Sequence, residues 1–203
     1  MTDSYRTLAG PCGPHELKEK ASRFLALAAP AATAEEAEAF VTALKKRFHD
    51  AAHIGWACRL GEGEERAVRH SDGGEPAGTA GIPVHRELVR AELFNAVCAV
   101  VRYFGGVKLG TGGLSRAFAA AARALLEAAP TRVVPVTETL VLSVPFDLVG
   151  TVMRLAEQHG GATVVSQEYD AGGARLTVAV PRSRTAAFRD AAVERSGGRI
   201  VPV

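Results

Sequence analysis

Apolar and polar positions follow two spacings along the first part of the chain, the two-residue period of strands and the longer period of helices. The clearest helix follows the capping box Thr33-Ala-Glu-Glu36, after which apolar side chains recur at helical spacing. The almost continuous apolar run from Asn95 to Phe104 is typical of a strand covered on both faces. We therefore predict strands at 15–29 (one or two), 53–60, 66–70 and 95–104, a turn at 61–64, and helices at 34–49, at 84–91 and from the N-cap Thr111 to about 128.

The chain after Pro130 contains an internal repeat. Leu142-Ser-Val-Pro145 matches Val178-Ala-Val-Pro181, and a Gly-Gly pair follows each copy. Asp147 and Ser183 come two residues after the matching prolines and are suited to be helix N-caps. Each copy therefore predicts a strand, a helix that ends at the glycine pair, and a second strand.

Two such copies joined by a hairpin give the β-α-β-β-α-β order of a ferredoxin-like domain. Together with the mixed strands and helices that precede it, this order predicts an α+β protein of two domains. We expect the domains to span residues 1–130 and 131–203. The ferredoxin-like fold says little about function, because many unrelated proteins share it.

Composition excludes some classes of protein without identifying a partner. The 203 residues include 24 basic and 22 acidic side chains, and a net charge of +2 excludes a strongly basic nucleic-acid-binding tail. Three cysteines without a CxxC pair predict free thiols in a reducing compartment and no metal or cofactor site. No apolar segment resembles a signal peptide or approaches the roughly 20 residues that cross a bilayer. We therefore expect a cytoplasmic protein without membrane contact.

Two glycine-rich segments carry the residues that could perform chemistry or binding, and the first is acidic. Residues 71–81 place Asp72, Glu75 and Thr79 in a predicted loop. Two nearby carboxylates suit a Mg²⁺ site, a general acid/base pair, or acceptors for RNA hydroxyls and base edges. The structural alternative is that Asp72 caps backbone amides in a turn, Glu75 pairs with a nearby arginine and Thr79 stabilises the loop.

The second segment leaves the buried strand, turns through glycines and enters a helix. Unpaired amides and the positive end of the helix favour an anion at this point. The spacing matches neither a Walker A loop nor a clean GxGxxG motif. The structural alternative is that the glycines only form a tight turn and allow close helix packing. The predicted anion-binding residues are Arg102, Lys108, Gly112, Gly113 and Arg116.

The motifs SDGGEP, GTAG and RYFGGVKLGTGGLSRAF closely resemble those of the IMPACT family, whose bacterial branch is the YigZ type. The helix at 34–49 and the histidine at position 53 also fit that family, and the resemblance covers the whole chain. Two positions depart from it. Gly73 stands where the family's usual SDDGEP motif has an aspartate, and Ile54 replaces the usual asparagine.

The resemblance implies a first domain with the α/β-sandwich fold of domain 2 of small-subunit ribosomal protein S-five, and a second domain like domain V of elongation factor G. Eukaryotic relatives regulate translation during amino-acid starvation, and RNA or ribosome binding is the usual inference for bacterial relatives. We therefore expect a translation-associated binding protein that contacts RNA or the ribosome through residues 71–116, without DNA specificity. A regulator that binds a protein partner in translation, and an enzyme acting on a phosphorylated small molecule at the same surface, are the alternatives.

Overall fold

A computed structural model describes residues 3–62 and 65–203. The chain divides into two compact units, Tyr5–Val134 and residues 3–4 with Pro135–Val203, and each unit mixes helices and strands. The predicted α+β fold of two domains is confirmed, while the exact boundary between residues 130 and 131 stays a prediction. Two residues of the predicted turn at 61–64 lie outside the described part of the chain.

The first unit is built on an antiparallel five-stranded sheet with the strand order β2-β3-β6-β4-β5, and a separate pair of strands joins β1 to β7. The predicted segment 15–29 forms two of these strands. The elements are β1 (Ser4–Leu8), β2 (Cys12–Glu19), β3 (Ser22–Pro30), α1 (Ala34–Arg47), β4 (His53–Glu62), β5 (Glu65–Ser71), α2 (Gly81–Arg90), β6 (Ala96–Tyr103), α3 (Gly110–Ala128) and β7 (Thr131–Pro135).

Helices cover both faces of this sheet. On one face α2 and α3 bury side chains such as Val84, Leu88 and Phe118 against the strands. On the other face α1 contributes Val41 and Leu44 to the packing. Because β6 lies in the middle of the sheet between these layers, its positions 96–101 are all buried. The continuous apolar run of β6 therefore has the structural cause that the sequence predicted.

The second unit has the ferredoxin-like element order, and its sheet has the antiparallel strand order β11-β8-β10-β9. Alternate residues of the central strand β10 face the two helices and form the core of the unit with them. The elements are β8 (Thr137–Val144), α4 (Val149–Gln158), β9 (Thr163–Asp170), β10 (Gly173–Pro181), α5 (Thr185–Arg195) and β11 (Val201–Pro202).

The predicted N-caps of α4 and α5 are wrong. A short 3-10 turn precedes each helix, so α4 and α5 begin two residues after Asp147 and Ser183. Asp147 instead pairs with Arg199 at 2.9 Å, and the Ser183 hydroxyl donates to Asp3 at 2.5 Å. The predicted helix ends at the two Gly-Gly pairs are confirmed, since all four glycines have positive φ.

Within the described residues, no helix has the length and the apolar character that crossing a membrane requires.

Candidate functional site

The two glycine-rich segments leave the same end of the five-stranded sheet. β5 ends at Ser71 and β6 ends at Tyr103, and the antiparallel register places Trp56 opposite Ser71 and His53 opposite Arg102. Each segment then leads into a helix, α2 or α3. We name residues 72–80 the acidic loop and residues 102–116 the basic segment.

Asp72 organises the acidic loop from inside. Its Oδ2 accepts the N–H of Gly78 at 2.8 Å, and its Oδ1 accepts the N–H groups of Ala80 and Gly81, both at 2.9 Å. Burial raises the pKa of Asp72, but the three N–H donors outweigh burial and hold the pKa below its usual value. These bonds fix the first turn of α2, which begins at Gly81 and not at the predicted position 84. The carboxylate of Asp72 is therefore used within the chain.

Thr79 and Gly73 also serve the shape of the acidic loop. The hydroxyl of Thr79 donates to the carbonyl of Pro76 at 2.6 Å, and Thr79 is only 3% exposed. Gly73 has a φ of +60° and packs on β4 so closely that a Cβ would lie 1.8 Å from the Ile54 carbonyl oxygen. An aspartate at position 73 would require this backbone to shift. The two departures from the family's usual sequence, Gly73 and Ile54, thus lie against each other.

Glu75 lies at the centre of a buried ionic cluster. Its side chain is 1% exposed, and its Oε1 accepts from the Arg102 Nη1 at 2.7 Å and from the His53 Nδ1 at 2.8 Å. His53 is not among the predicted site residues, because the sequence gives it no second ligand at metal spacing, and its partner Glu75 lies 22 residues away along the chain. The pairing of β4 with β6 places His53 opposite Arg102, and the acidic loop brings Glu75 to both of them.

Arg102 does not fit its predicted role as an anion-binding residue. Its side chain is 7% exposed, and Glu75 pairs with its charge. The Nε of Arg102 is buried and has no hydrogen-bond partner in the described part of the chain. Its guanidinium carbon lies 5.7 Å from the ring centroid of Phe24 and 5.4 Å from that of Phe104. Arg102 therefore connects the acidic loop to the basic segment below the surface.

The outer part of the basic segment carries the exposed positive charge. Lys108 and Arg116 are both exposed, and across residues 3–62 and 65–203 neither has a hydrogen-bond or ion-pair partner. The guanidinium of Arg116 turns back over the start of α3, since its Nη1 lies 3.4 Å from where a Cβ on Gly112 would be. The first turn of α3 contains no acidic residue.

The start of α3 differs from the prediction in its register. Leu109 occupies the N-cap position and α3 begins at Gly110, so Thr111 is not the N-cap. A helix that begins there forms its first hydrogen bond from the Gly113 N–H to the Leu109 carbonyl. The N–H groups that the helix leaves unused are those of Leu109, Gly110, Thr111 and Gly112. Of the two predicted amide donors, Gly112 keeps a free N–H and Gly113 does not.

Among the described residues, the buried cysteines and the possible metal ligands offer no competing site. Cys58 and Cys98 are buried in strands, and burial raises the pKa of both thiols. Such thiols are poor nucleophiles and poor metal ligands, because the thiolate is the reactive form. No group of three or more His, Cys, Asp or Glu residues is placed to hold a metal ion in the described ranges.

Comparison with known proteins covers both units. The Impact N-terminal domain family matches residues 20–126, and a domain of unknown function, DUF1949, matches residues 142–199. The IMPACT family member YigZ of Escherichia coli (strain K12) is 32% identical over 195 residues, which is 94% of each chain. The IMPACT family member YvyE of Bacillus subtilis (strain 168) is 39% identical over 118 residues, which is 58% of this chain and 54% of YvyE.

Two solved structures are similar to this chain. The crystal structure of a hypothetical protein covers 100% of this chain and 98% of its own, with a TM-score of 0.70 and 28% identity. The two-domain translational regulator Yih1 matches 60% of this chain and 48% of its own at 25% identity, with a TM-score of 0.41.

Proposed function

The chain belongs to the IMPACT family, and on this basis we propose that it is a translation-associated binding protein whose basic segment contacts RNA, free or within the ribosome. The family supplies the biological setting, because the resemblance implies that its eukaryotic members regulate translation. It takes its binding surface from this chain. The observation that carries it is the unpaired positive surface at the start of α3, formed by Lys108 and Arg116.

This surface has the components of a phosphate site. A helix N-terminus contributes about half a positive charge, which is worth roughly 0.3–1 kcal/mol and gives only weak anion binding by itself. Lys108 and Arg116 supply full charges beside the free N–H groups of Gly110, Thr111 and Gly112. Since the whole chain has a net charge of only +2, we expect contact to be local and modest in strength.

The alternative of an enzyme acting on a phosphorylated small molecule needs a carboxylate for proton or metal chemistry. Asp72 accepts three backbone N–H groups, and Glu75 is buried between Arg102 and His53. Both carboxylates are therefore engaged within the chain. The geometry favours binding over catalysis at this surface.

Affinity for an unstructured RNA oligonucleotide as a function of salt tests the proposal. Two phosphate contacts predict that log affinity falls with log salt at a slope of about −1.4, roughly 0.7 per contact on a single strand. The variant Lys108→Ala/Arg116→Ala should bind all sequences more weakly and with a slope flatter by about 1.4, because two phosphate contacts are lost and phosphate contacts carry no sequence information. Sedimentation with ribosomes at low and high salt extends the measurement to the assembled particle.

The matched control removes the same charge elsewhere. Arg154 and Arg175 are exposed in the second unit, and Arg154→Ala/Arg175→Ala should keep the wild-type slope. An equal loss of RNA affinity in both double variants would contradict the proposal, because net charge alone would then drive binding. Wild-type affinity in Lys108→Ala/Arg116→Ala would contradict the proposal.

A further inference from the structure

The basic segment also carries an exposed aromatic side chain that phosphate contacts leave unused. Phe104 follows β6 directly and is 51% exposed, and Val107 in the same loop is 46% exposed. One face of the Phe104 ring is supported from inside the protein, because the Arg102 guanidinium carbon lies 5.4 Å from the ring centroid. Glu75 in turn holds Arg102 in place at 2.7 Å. The ring is thus supported from below and open to solvent.

A second lysine belongs to the same surface. The turn between β2 and β3 packs against the basic segment so closely that a Cβ on Gly105 would lie 1.8 Å from the Ala21 carbonyl oxygen. The N–H of Gly105 also donates to the Ser22 hydroxyl at 3.3 Å. This turn carries Lys20, which is exposed and has no ion-pair partner among the residues that the structure describes. Lys20 and Lys108 therefore lie on the two chain segments that meet at Gly105, beside Phe104.

We propose that Phe104 is a stacking platform for an unpaired base and that Lys20 joins Lys108 in contacting the flanking phosphates, so that the RNA recognised is single-stranded. This inference rests on the proposed function and specifies its ligand. An aromatic ring flanked by cations suits single strands, because every base has a π face that can stack and the charges follow the backbone. Bases inside a duplex are already stacked on each other and cannot reach such a ring. Arg102 and Glu75 act as positioning residues for the platform.

Phe104→Ala separates stacking from charge. Removing a base–aromatic stack should weaken binding of a single-stranded oligonucleotide about tenfold. The affinity for a duplex of the same sequence should not change, and neither should the salt slope, because no charge is lost. Phe104→Trp should keep the affinity of the wild type, since it restores a stacking surface. Val107→Ala is the matched control, because it shortens an exposed aliphatic side chain of the same loop and should have little effect.

Lys20→Ala tests the second lysine. With Lys20 as a third phosphate contact, the wild-type slope for the single strand becomes about −2.1 instead of about −1.4, and Lys20→Ala should return it to about −1.4. The effect of Phe104→Ala should be the same in both backgrounds. Phe104→Ala and Lys20→Ala each change an exposed side chain, so both variants should fold as the wild type does. A circular dichroism spectrum and an unfolding curve confirm this for each variant.

The outcomes distinguish this inference from the proposed function. If Phe104→Ala binds a single strand as tightly as the wild type while Lys108→Ala/Arg116→Ala loses its salt-dependent binding, the proposed function stands and the stacking platform is wrong. Equal weakening for single strand and duplex would also overturn the platform, because the ring would then only support the loop. An absence of RNA binding by the wild type would overturn both. If Phe104→Ala binds the single strand about tenfold more weakly and the duplex as the wild type does, the result supports both the proposed function and the stacking platform.

Discussion

The acidic loop and the basic segment look equivalent in sequence and have opposite structural roles. Each is rich in glycine, carries charged residues, follows a strand and precedes a helix. In the acidic loop, Asp72 and Glu75 direct their carboxylates inward and accept hydrogen bonds from backbone and side chains. In the basic segment, Lys108 and Arg116 project outward without a partner in the described chain. Charges of the first kind maintain the fold, and those of the second kind are available to a ligand.

This difference has an energetic basis. A buried charge must be paired and hydrogen-bonded, because the protein interior solvates it poorly. An exposed cation is solvated by water and contributes little to stability. Removing a charge from the acidic loop should therefore lower the free energy of unfolding, whereas removing one from the outer basic segment should lower RNA affinity. Changes at Glu75, at Asp72 and at Lys108 together with Arg116 test this comparison.

Glu75→Ala should lower the free energy of unfolding more than any other of these changes. It leaves Arg102 buried with an unpaired charge, and breaking a buried ion pair in this way costs about 3–5 kcal/mol. Glu75→Gln should cost less, because the amide oxygen can still accept one hydrogen bond. Denaturant unfolding monitored by circular dichroism gives both values.

A surface ion pair provides the control for Glu75. Glu38 pairs with Arg69, and both side chains are 55% exposed. Glu38→Ala should therefore cost less than about 1 kcal/mol. Similar losses in Glu75→Ala and Glu38→Ala would mean that the buried cluster does not hold the two segments together.

Asp72→Asn should give an intermediate effect that depends on pH. One half of the new amide is an NH₂ group, which faces N–H donors and cannot accept from them, so we expect a loss of about 1–2 kcal/mol at neutral pH. The pKa of Asp72 is lowered in the folded chain. The ionised carboxylate of Asp72 therefore stabilises the fold fully above the pKa of the unfolded chain, about 3.9. This stabilisation is lost as pH falls through the lower pKa of the folded chain.

Unfolding curves between pH 7 and pH 2 measure this dependence. The difference in the free energy of unfolding between wild type and Asp72→Asn should stay constant down to about pH 4 and decrease below it. Glu157 is exposed on α4 in the second unit, and Glu157→Gln should show no such decrease. A difference that is the same at pH 7 and pH 2 would show that the charge of Asp72 is not what stabilises the loop.

Local sequence patterns predicted the strands of the five-stranded sheet and the order of the second unit, but they missed β1 and β7 and could not give the contacts between segments. Apolar spacing predicted the strands of the first sheet and the helix–glycine-pair repeat of the second unit, because burial imposes these periods directly. The helix starts were less accurate. α2 begins early because Asp72, nine residues before Gly81, binds its first N–H groups. α3 begins at Gly110, whose positive φ of 69° suits a glycine at the turn into the helix, so the predicted N-cap Thr111 lies one residue inside the helix.

The candidate site was harder to predict, since its composition depends on strand pairing. Each residue of the acidic loop had a structural alternative in the sequence, and Asp72, Glu75 and Thr79 all follow it. The partnership of His53 with Glu75 requires the register of β4 on β6, which no local pattern contains. Lys20 belongs to the surface only because its turn packs against Gly105. Contacts of this kind become visible only when the sheet is assembled.

Lys108→Ala/Arg116→Ala should have the smallest effect on stability, within about 0.5 kcal/mol of the wild type. The sign of the change in the free energy of unfolding is informative as well as its size. Positive side chains near the positive end of a helix are placed unfavourably, so their removal should leave the free energy of unfolding unchanged or raise it slightly. Residues that do not help the fold, yet whose loss weakens RNA binding, would mark this surface as one that serves a ligand. A destabilisation of more than about 1 kcal/mol in the denaturant curve would instead place these cations in the same structural role as Asp72 and Glu75.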